Sequence, residues 1–270
     1  MSMDFIYRSK KSLGQNFLID KNIINKIINI GKIDKNKSVL EIGSGYGALT
    51  KIIIKKKPKN IFAIEKDKKL ASLLKNEFVS NKSVKIINKD ILKVINNINF
   101  GQNVIVFGNL PYNISTQVLA SLMLVAKWPS WYEQLVFMFQ KEVAERIIAK
   151  ESSKEFGRLS VLCNWRMEIT KHFDVSKNCF LPKPKINSTI LSFRPKKVLF
   201  YNLKNPKNLE TVTRVLFSNR RKIIKKNFLK LFKNKLSVAK DLNIDLKMRP
   251  EELSKETFYK IAEKYEKLFD

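Results

Sequence analysis

The chain has 270 residues, of which 44% are hydrophobic, enough for one large domain and a small second one around a substantial core. Its 53 Lys and Arg outnumber its 24 Asp and Glu, and the net charge of +29 predicts a polyanionic partner, nucleic acid before membrane. Only nine of the basic residues are Arg, and Lys, Asn and Ile are abundant, so A/T-rich codons are an alternative source of the surplus.

Cysteine and histidine are too scarce for a metal site. The sequence has two cysteines (Cys163 and Cys179) and one histidine (His172), with no Cys-x-x-Cys, so neither bound zinc nor a disulfide framework is expected. No apolar run is long enough to span a bilayer, and the N-terminus lacks the apolar core of a signal peptide. We therefore expect a cytoplasmic protein without a metal or a membrane partner.

The first strand-turn-helix unit predicts a cofactor site. Residues 38–42 are typical of a buried strand, residues 43–47 of a glycine-rich turn and residues 49–56 of a helix, which is how a Rossmann-like unit begins. The spacing is Gly-x-Gly-x-Gly, unlike that of dinucleotide enzymes, and the nearby Glu41 would repel a pyrophosphate. A cofactor with a cationic centre fits better.

Carboxylates follow the next two strands. Glu65 ends the strand at 61–64 and lies 22 residues after Gly43, close to the roughly 20-residue spacing of a residue that grips ribose hydroxyls. Asp90 follows a third strand at 84–87 and is a candidate acceptor for an adenine amino group. The alternative for both residues is a helix cap or a solvated charge.

A fourth buried strand at 104–107 stops sharply at Gly108-Asn109-Leu110-Pro111-Tyr112-Asn113-Ile114. Open α/β sheets bind their ligands at the carboxyl ends of the strands, and this turn places an amide, two carbonyls and an aromatic ring there. Acceptors for N–H groups beside a ring that can stack suit a planar amine. The alternative is an ordinary strand-to-helix turn.

The other predicted elements complete an α/β sheet. They are an ordered arm at 1–18, a helix capped by Asp20, helices at 115–125, 140–148 and 158–165, strands at 134–139, 166–173 and 188–193, and a stiff loop without regular structure at 180–185.

The predicted secondary structure changes near residue 195. Strand-like runs cease there, and helical patterns fill residues 209–268. We therefore expect two domains, at 1–194 and 195–270.

Between Glu210 and Asp241 there are ten basic residues and no acidic one, which favours an RNA-binding face over the alternative of a merely solvated one. The interleaved Phe217, Phe228 and Phe232 indicate that these helices also pack a core.

Seven motifs in order resemble the rRNA adenine N6-methyltransferase family, in particular its bacterial 16S rRNA dimethyltransferases of the kasugamycin-sensitivity group. They are Leu13-Gly14-Gln15-Asn16-Phe17-Leu18, Leu40-Glu41-Ile42-Gly43-Ser44-Gly45-Tyr46-Gly47-Ala48-Leu49-Thr50, Asn109-Leu110-Pro111-Tyr112-Asn113-Ile114-Ser115, Gln140-Lys141-Glu142-Val143-Ala144-Glu145-Arg146, Gly157-Arg158-Leu159-Ser160, Phe180-Leu181-Pro182-Lys183-Pro184 and Phe217-Ser218-Asn219-Arg220-Arg221-Lys222.

The resemblance implies a Rossmann-like class I methyltransferase of the α/β class, with a seven-stranded sheet and a small α-helical C-terminal domain. It also implies S-adenosylmethionine as cofactor, S-adenosylhomocysteine as product, and dimethylation of two adjacent adenosines in the 3′-terminal hairpin loop of 16S rRNA within the immature small subunit. We further expect a monomer. The implied cofactor contacts are Asn16, Leu18, Gly43, Gly45, Glu65, Asp90 and Asn109.

The Asn109 turn suits that chemistry. The Asn109 side-chain oxygen and the Leu110 carbonyl are candidate acceptors for both N–H groups of the amine, and Pro111 fixes the turn. Tyr112 is expected to stack on the extruded base, and Phe180 to close its other face.

Arg220, Arg221 and Lys222 are the candidate RNA contacts. The sequence departs from the family pattern at Asn187, where Asp is usual, and at residues 223–225, where Ile-Ile-Lys replaces Thr-Leu-Arg. The second departure bears on RNA contact.

Three other functions share parts of this pattern. One is the 23S rRNA adenine methyltransferase group of macrolide resistance. Another is a DNA adenine methyltransferase, which would be expected to carry a target-recognition insert. The third is a nucleic-acid-binding assembly or transcription factor that kept the fold without the chemistry.

Overall fold

The computed structural model describes residues 14–95, 98–125 and 127–270, which form two compact units. The first comprises the described residues up to Leu119 with Trp131–Lys141 and Thr170–Ser192. The second comprises the described residues of Ala120–Ser130, Glu142–Ile169 and Phe193–Asp270. The units therefore alternate along the chain, and the division into domains at residue 195 stays a prediction. Residues 1–13 of the expected arm, including Leu13, lie outside the described residues.

Nine strands are described, in one large and one small sheet. They are β1 (Phe17–Leu18), β2 (Ser38–Ile42), β3 (Asn60–Ile64), β4 (Val84–Ile87), β5 (Val104–Gly108), β6 (Tyr132–Gln140), β7 (Met167–Val175), β8 (Phe180–Leu181) and β9 (Ser188–Pro195). The large sheet has the order β4-β3-β2-β5-β6-β9-β7, which confirms the seven strands expected. Strands β4, β3, β2, β5 and β6 are parallel, so their carboxyl ends meet at one edge.

Eleven α-helices are described. They are α1 (Lys21–Ile30), α2 (Ala48–Lys55), α3 (Lys68–Glu77), α4 (Ile91–Val94), α5 (Ser115–Met123), α6 (Lys141–Ile148), α7 (Arg158–Arg166), α8 (Lys207–Leu216), α9 (Lys225–Leu231), α10 (Ser237–Asp241) and α11 (Lys255–Phe269). Short 3₁₀ turns lie at Lys177–Cys179, Phe217–Asn219 and Pro250–Glu252. Within the described ranges, no helix is both long enough and apolar enough to cross a bilayer.

The strands of the first unit are packed in an apolar core. Every residue of β5 from Val104 to Phe107 is fully buried, as expected for a central parallel strand covered on both faces. Helix α1 buries Ile24, Ile27 and Ile28 on one face, and the Asp20 carboxylate caps it as predicted. Gly31 ends this helix so close to β5 that an added Cβ would lie 2.5 Å from the Phe107 ring.

The second unit has its own apolar core. Phe228, Leu231 and Phe232 from the basic stretch are buried there with Phe258 of α11, and Phe217 packs against them. This confirms that the helices predicted to carry the basic face also build a core.

The prediction of an irregular loop at residues 180–185 is wrong at the first two of these residues. The loop at 180–185 was expected to lack regular structure, but Phe180–Leu181 forms β8 and pairs antiparallel with β1. Pro182 cannot donate to a ladder, yet it follows the paired residues and so does not prevent the pairing. The arm is thereby fastened to the proline-rich loop.

Candidate active site

A cavity lies at the carboxyl edge of the parallel strands in the first unit. Its walls are the turns after β2, β3, β4 and β5 together with the N-terminal arm. The predicted site residues that line it are Asn16, Gly43, Gly45, Glu65, Asp90, Asn109, Leu110, Pro111 and Tyr112. The predicted cofactor turn and the predicted amine-binding turn therefore share one space.

The glycine-rich turn at residues 43–47 packs against the N-terminal arm. Gly45 adopts a left-handed conformation with φ of 55°, and a Cβ there would lie 3.0 Å from the Phe17 ring, so a side chain at this position would be strained and would press on that ring. Phe17 also packs edge-on against Tyr46, with ring centroids 4.7 Å apart. The turn and the arm thus form one packed wall of the cavity.

Glu65 ties the turn to the end of β3. Its carboxylate accepts hydrogen bonds from the backbone N–H groups of Gly45 and Asp67, each at 2.8 Å. Burial raises the pKa of Glu65, and these two hydrogen bonds oppose the rise. Each carboxylate oxygen retains a further lone pair, so Glu65 is still able to accept from ligand hydroxyls.

Glu41 is a second buried carboxylate, from which the sequence predicted only that a cationic cofactor fits better than a pyrophosphate. The Thr50 hydroxyl donates to it. Burial raises the pKa of Glu41 to about 8, against the Thr50 hydrogen bond, and the negative charge of Glu65 adds to the rise. A cationic ligand in the cavity would be favoured by the ionised form of Glu65, which lines its wall.

Asp90 combines the two interpretations that the sequence left open. It caps α4 by accepting from the Leu92 N–H at 3.1 Å, and it lines the cavity. Its other oxygen pairs with the Lys66 ammonium at 2.9 Å, and this contact is the main reason why the pKa of Asp90 is lowered. The carboxylate is therefore an ionised acceptor at the cavity wall.

The Asn109 side chain is held in one orientation by the arm. Its amide nitrogen donates to the backbone carbonyl of Asn16 at 3.2 Å. Because a carbonyl oxygen can only accept, this contact fixes which side of the amide carries the nitrogen. The side-chain oxygen is left as an acceptor, and no described residue donates to it.

The rest of the turn is rigid. The Pro111 carbonyl accepts from the N–H groups of Ile114 and Ser115 at 3.0 and 3.1 Å, and the Tyr112 carbonyl accepts from the Ser115 hydroxyl. Leu110 buries its side chain, so its backbone is anchored. The acceptors at Asn109 and Leu110 are therefore held by the turn.

Tyr112 is anchored by a residue that the sequence did not single out as functional. Its hydroxyl lies 2.7 Å from the Ser188 hydroxyl, which is fully buried at the start of β9. Burial raises the pKa of Tyr112, although the Ser188 hydrogen bond opposes the rise. The partners are 76 positions apart in the sequence, which explains why no local pattern revealed the contact.

Two predicted site residues lie outside the cavity wall. Leu18 and Phe180 face each other across the β1–β8 pair and are buried in the core of the first unit. The Phe180 side chain is only 3% exposed, so a stacking role would require its ring to become accessible. That role stays a prediction.

Comparison with known proteins identifies the family. A family model described as "Ribosomal RNA adenine dimethylase" matches residues 6–267. The chain belongs to this family. Ribosomal RNA small subunit methyltransferase A of Pelagibacter ubique (strain HTCC1062) is 49% identical over 261 residues, covering 97% of this chain and 98% of that protein. Its namesake from Malacoplasma penetrans (strain HF-2) is 38% identical over 267 residues, covering 96% and 94%.

Solved structures agree on the fold. A dimethyladenosine transferase from Plasmodium falciparum has a TM-score of 0.76 and 26% identity, covering 93% of this chain and 98% of that one. The 23S rRNA methyltransferase ErmE has a TM-score of 0.65 and 21% identity, covering 92% and 98%, which supports the fold alone. The predicted class I methyltransferase fold of the family is confirmed.

The candidate RNA contacts lie in the second unit and differ from one another. Arg220 is half-buried, pairs with Glu251 at 2.8 Å and donates to the Ser153 carbonyl. Arg221 and Lys222 are exposed, and no described carboxylate pairs with either. Arg220 therefore has a structural partner that its neighbours lack.

The buried Glu41 predicts a specific pH dependence of stability. In the folded protein its carboxyl is protonated below about pH 8, whereas in the unfolded chain it ionises near 4.5. Folding then takes up a proton between these values, so stability falls as pH rises from about 5 to 8, by up to about 1.4 kcal/mol per pH unit. Glu41→Gln should reduce this slope in urea unfolding experiments, whereas Glu145→Gln at an exposed site should retain it. Equal slopes in the wild type and Glu41→Gln would contradict the assignment.

Proposed function

We propose that this protein transfers methyl groups from S-adenosylmethionine to N6 of adenosine in ribosomal RNA and forms dimethyladenosine. Membership of the ribosomal RNA adenine dimethylase family supports the reaction. The observation that carries the proposal is the fixed amide of Asn109, a cavity-lining residue whose side-chain oxygen is left as an acceptor.

The residues of the cavity fit S-adenosylmethionine. A Cβ at Gly43 would lie 3.6 Å from the Asn109 carbonyl, so the absence of a side chain keeps the space between the two turns open. Glu65 would hold the ribose hydroxyls and Asp90 the adenine amine, since both are acceptors at the cavity wall. When bound, the cofactor supplies an electrophilic methyl group on a cationic sulfur, which suits the Glu65 and Asp90 carboxylates of the cavity wall.

The chain's own residues then act by positioning. The exocyclic amine of adenine is a weak nucleophile because its lone pair is delocalised into the ring. Acceptance of both N–H groups by the Asn109 side-chain oxygen and the Leu110 carbonyl favours a pyramidal nitrogen whose lone pair points at the methyl group. Such alignment is worth up to roughly 7–11 kcal/mol. Asn109 also adds no charge beside the cation.

Tyr112 supplies the surface on which the adenine lies. Its ring lines the cavity and its hydroxyl is fixed by Ser188, so the ring has little freedom to turn away. Stacking contributes roughly 1–3 kcal/mol per base, which helps to offset the cost of unstacking the target, a few kcal/mol.

The more specific substrate is two adjacent adenosines in the 3′-terminal hairpin loop of 16S rRNA, in an immature small subunit. A loop suits this chemistry because its bases can leave the stack. The 49% identical relative carries a small-subunit name, whereas the 23S enzyme is 21% identical, which favours the small subunit over the macrolide-resistance alternative. The monomeric state and the cytoplasmic location stay predictions.

Asn109→Ala should abolish most of the reaction while leaving RNA binding intact. By analogy with the loss of an oxyanion-hole donor, the rate should fall on the order of 10²–10³-fold. The measurement is radiolabelled methyl transfer to small subunits from a strain lacking this protein, with primer extension across the 3′ hairpin. The stops caused by dimethyladenosine should be absent in that strain and return with the wild-type protein only. Wild-type turnover by Asn109→Ala, or stops that persist in the strain, would contradict the proposal.

Because Arg220 has a structural partner that Arg221 and Lys222 lack, the three candidate RNA contacts call for two separate experiments. Arg221→Ala/Lys222→Ala should weaken RNA binding and lower its salt slope by about 1.5, at ~0.7–0.9 per phosphate contact. Arg220→Ala should instead lower the free energy of unfolding by about 1 kcal/mol, because Glu251 and the Ser153 carbonyl lose their partner. A salt slope unchanged in the double variant would show that this face is merely solvated.

A further inference from the structure

An apolar ridge stands on the small sheet beside the cavity. We define it as Phe17, Ile19 and Leu181. Phe17 lies opposite Leu181 in the β1–β8 pair, and the Ile19 N–H continues the ladder by donating to the Cys179 carbonyl at 2.9 Å. Side chains alternate between the faces of a strand, so these three share the face opposite to the buried Leu18 and Phe180.

Two of the three ridge side chains are exposed to solvent and do not contribute to the buried core. Ile19 is 54% exposed and Leu181 is 65% exposed. Phe17 is half-buried against the glycine turn and also lines the cavity. The ridge is therefore continuous with the wall that holds Asn109, because Asn16, the partner of Asn109, precedes Phe17 directly.

Positive charge flanks this ridge. The loop that follows Leu181 carries Lys183 and Lys185, both exposed, and no carboxylate within the described ranges pairs with either. The same loop ends at Ser188, which fixes Tyr112. One short segment thus joins an exposed aliphatic side chain, two unpaired ammonium groups and the anchor of the stacking ring.

We propose that this ridge binds the nucleotides that flank the target adenosine in the rRNA loop, with their bases packed on Ile19 and Leu181 and their phosphates beside Lys183 and Lys185. The proposal rests on the proposed function. Extrusion of one base leaves its neighbours without a stacking partner, and exposed apolar side chains are suited to fill such a gap. The flanking ammonium groups favour a polyanion over an apolar protein surface.

Four proteins test the ridge: the wild type, Ile19→Ser/Leu181→Ser, Lys183→Ala/Lys185→Ala, and a control. The control is Val79→Ser/Lys82→Ala, which changes an 82% exposed Val and an exposed Lys after α3 in the same unit. The measurements are KM and kcat for methyl transfer to unmethylated small subunits, the salt dependence of binding, and affinity for S-adenosylhomocysteine.

We expect Ile19→Ser/Leu181→Ser to raise KM for the subunit about tenfold, within the range of a lost base contact, without changing cofactor affinity. Lys183→Ala/Lys185→Ala should lower the salt slope by about 1.5. Both lysines are exposed, so this variant remains informative if the apolar one folds poorly. The control should match the wild type.

A KM and a salt slope equal to those of the control in both ridge variants would overturn the ridge while leaving the proposed function standing. Absence of dimethyladenosine with the wild-type protein would overturn both. A photoreactive benzoylphenylalanine at position 181 should crosslink to rRNA next to the modified nucleotides. A crosslink to a ribosomal protein alone would overturn the assignment of the ridge to RNA.

Discussion

The hydrogen bond from the Asn109 side-chain amide to the Asn16 carbonyl sets the arrangement on which the site depends. It fixes the direction of the acceptor oxygen, and it joins the end of β5 to an N-terminal arm. The arm is itself held by the β1–β8 pair and by the contact of Phe17 with the glycine turn. Through β8 the same segment continues to Ser188, which holds Tyr112. In the proposed function, this site therefore acts through positioned acceptors rather than through a general base.

Electrostatics complement that positioning. Burial raises the pKa of both Glu41 and Glu65, and the negative charge of Glu65 further disfavours ionisation of Glu41. A cationic sulfur bound nearby would reduce this cost, so the site favours a charged methyl donor over its neutral product. Asp90 is different, because Lys66 keeps it ionised at the cavity wall. The three carboxylates therefore have different environments although the sequence presents each at or near the end of a strand.

Features of the fold and of the site that depend on a local sequence pattern were predictable from the sequence. Apolar runs placed the strands, the glycine spacing placed the cofactor turn, and the order of motifs gave the family. Contacts between distant residues could not be predicted in this way: Asn16 and Asn109 are 93 residues apart, and nothing local marks Ser188 as the partner of Tyr112. Motif membership also does not separate a residue that lines a cavity from one that packs beneath it, as Phe180 illustrates. The same limit applies to Arg220, whose partner Glu251 lies 31 residues away.

The most direct test of the central claim is single-turnover methyl transfer by Asn109→Asp. This change keeps an acceptor oxygen in place but removes the N–H group that bonds the Asn16 carbonyl, and it sets two oxygens about 3.2 Å apart. If the orientation imposed by the arm is essential, the rate should fall on the order of 10²-fold or more while S-adenosylhomocysteine binding persists. Transfer by Asn109→Asp at the wild-type rate would contradict the account, because an acceptor without the Asn16 contact would then suffice.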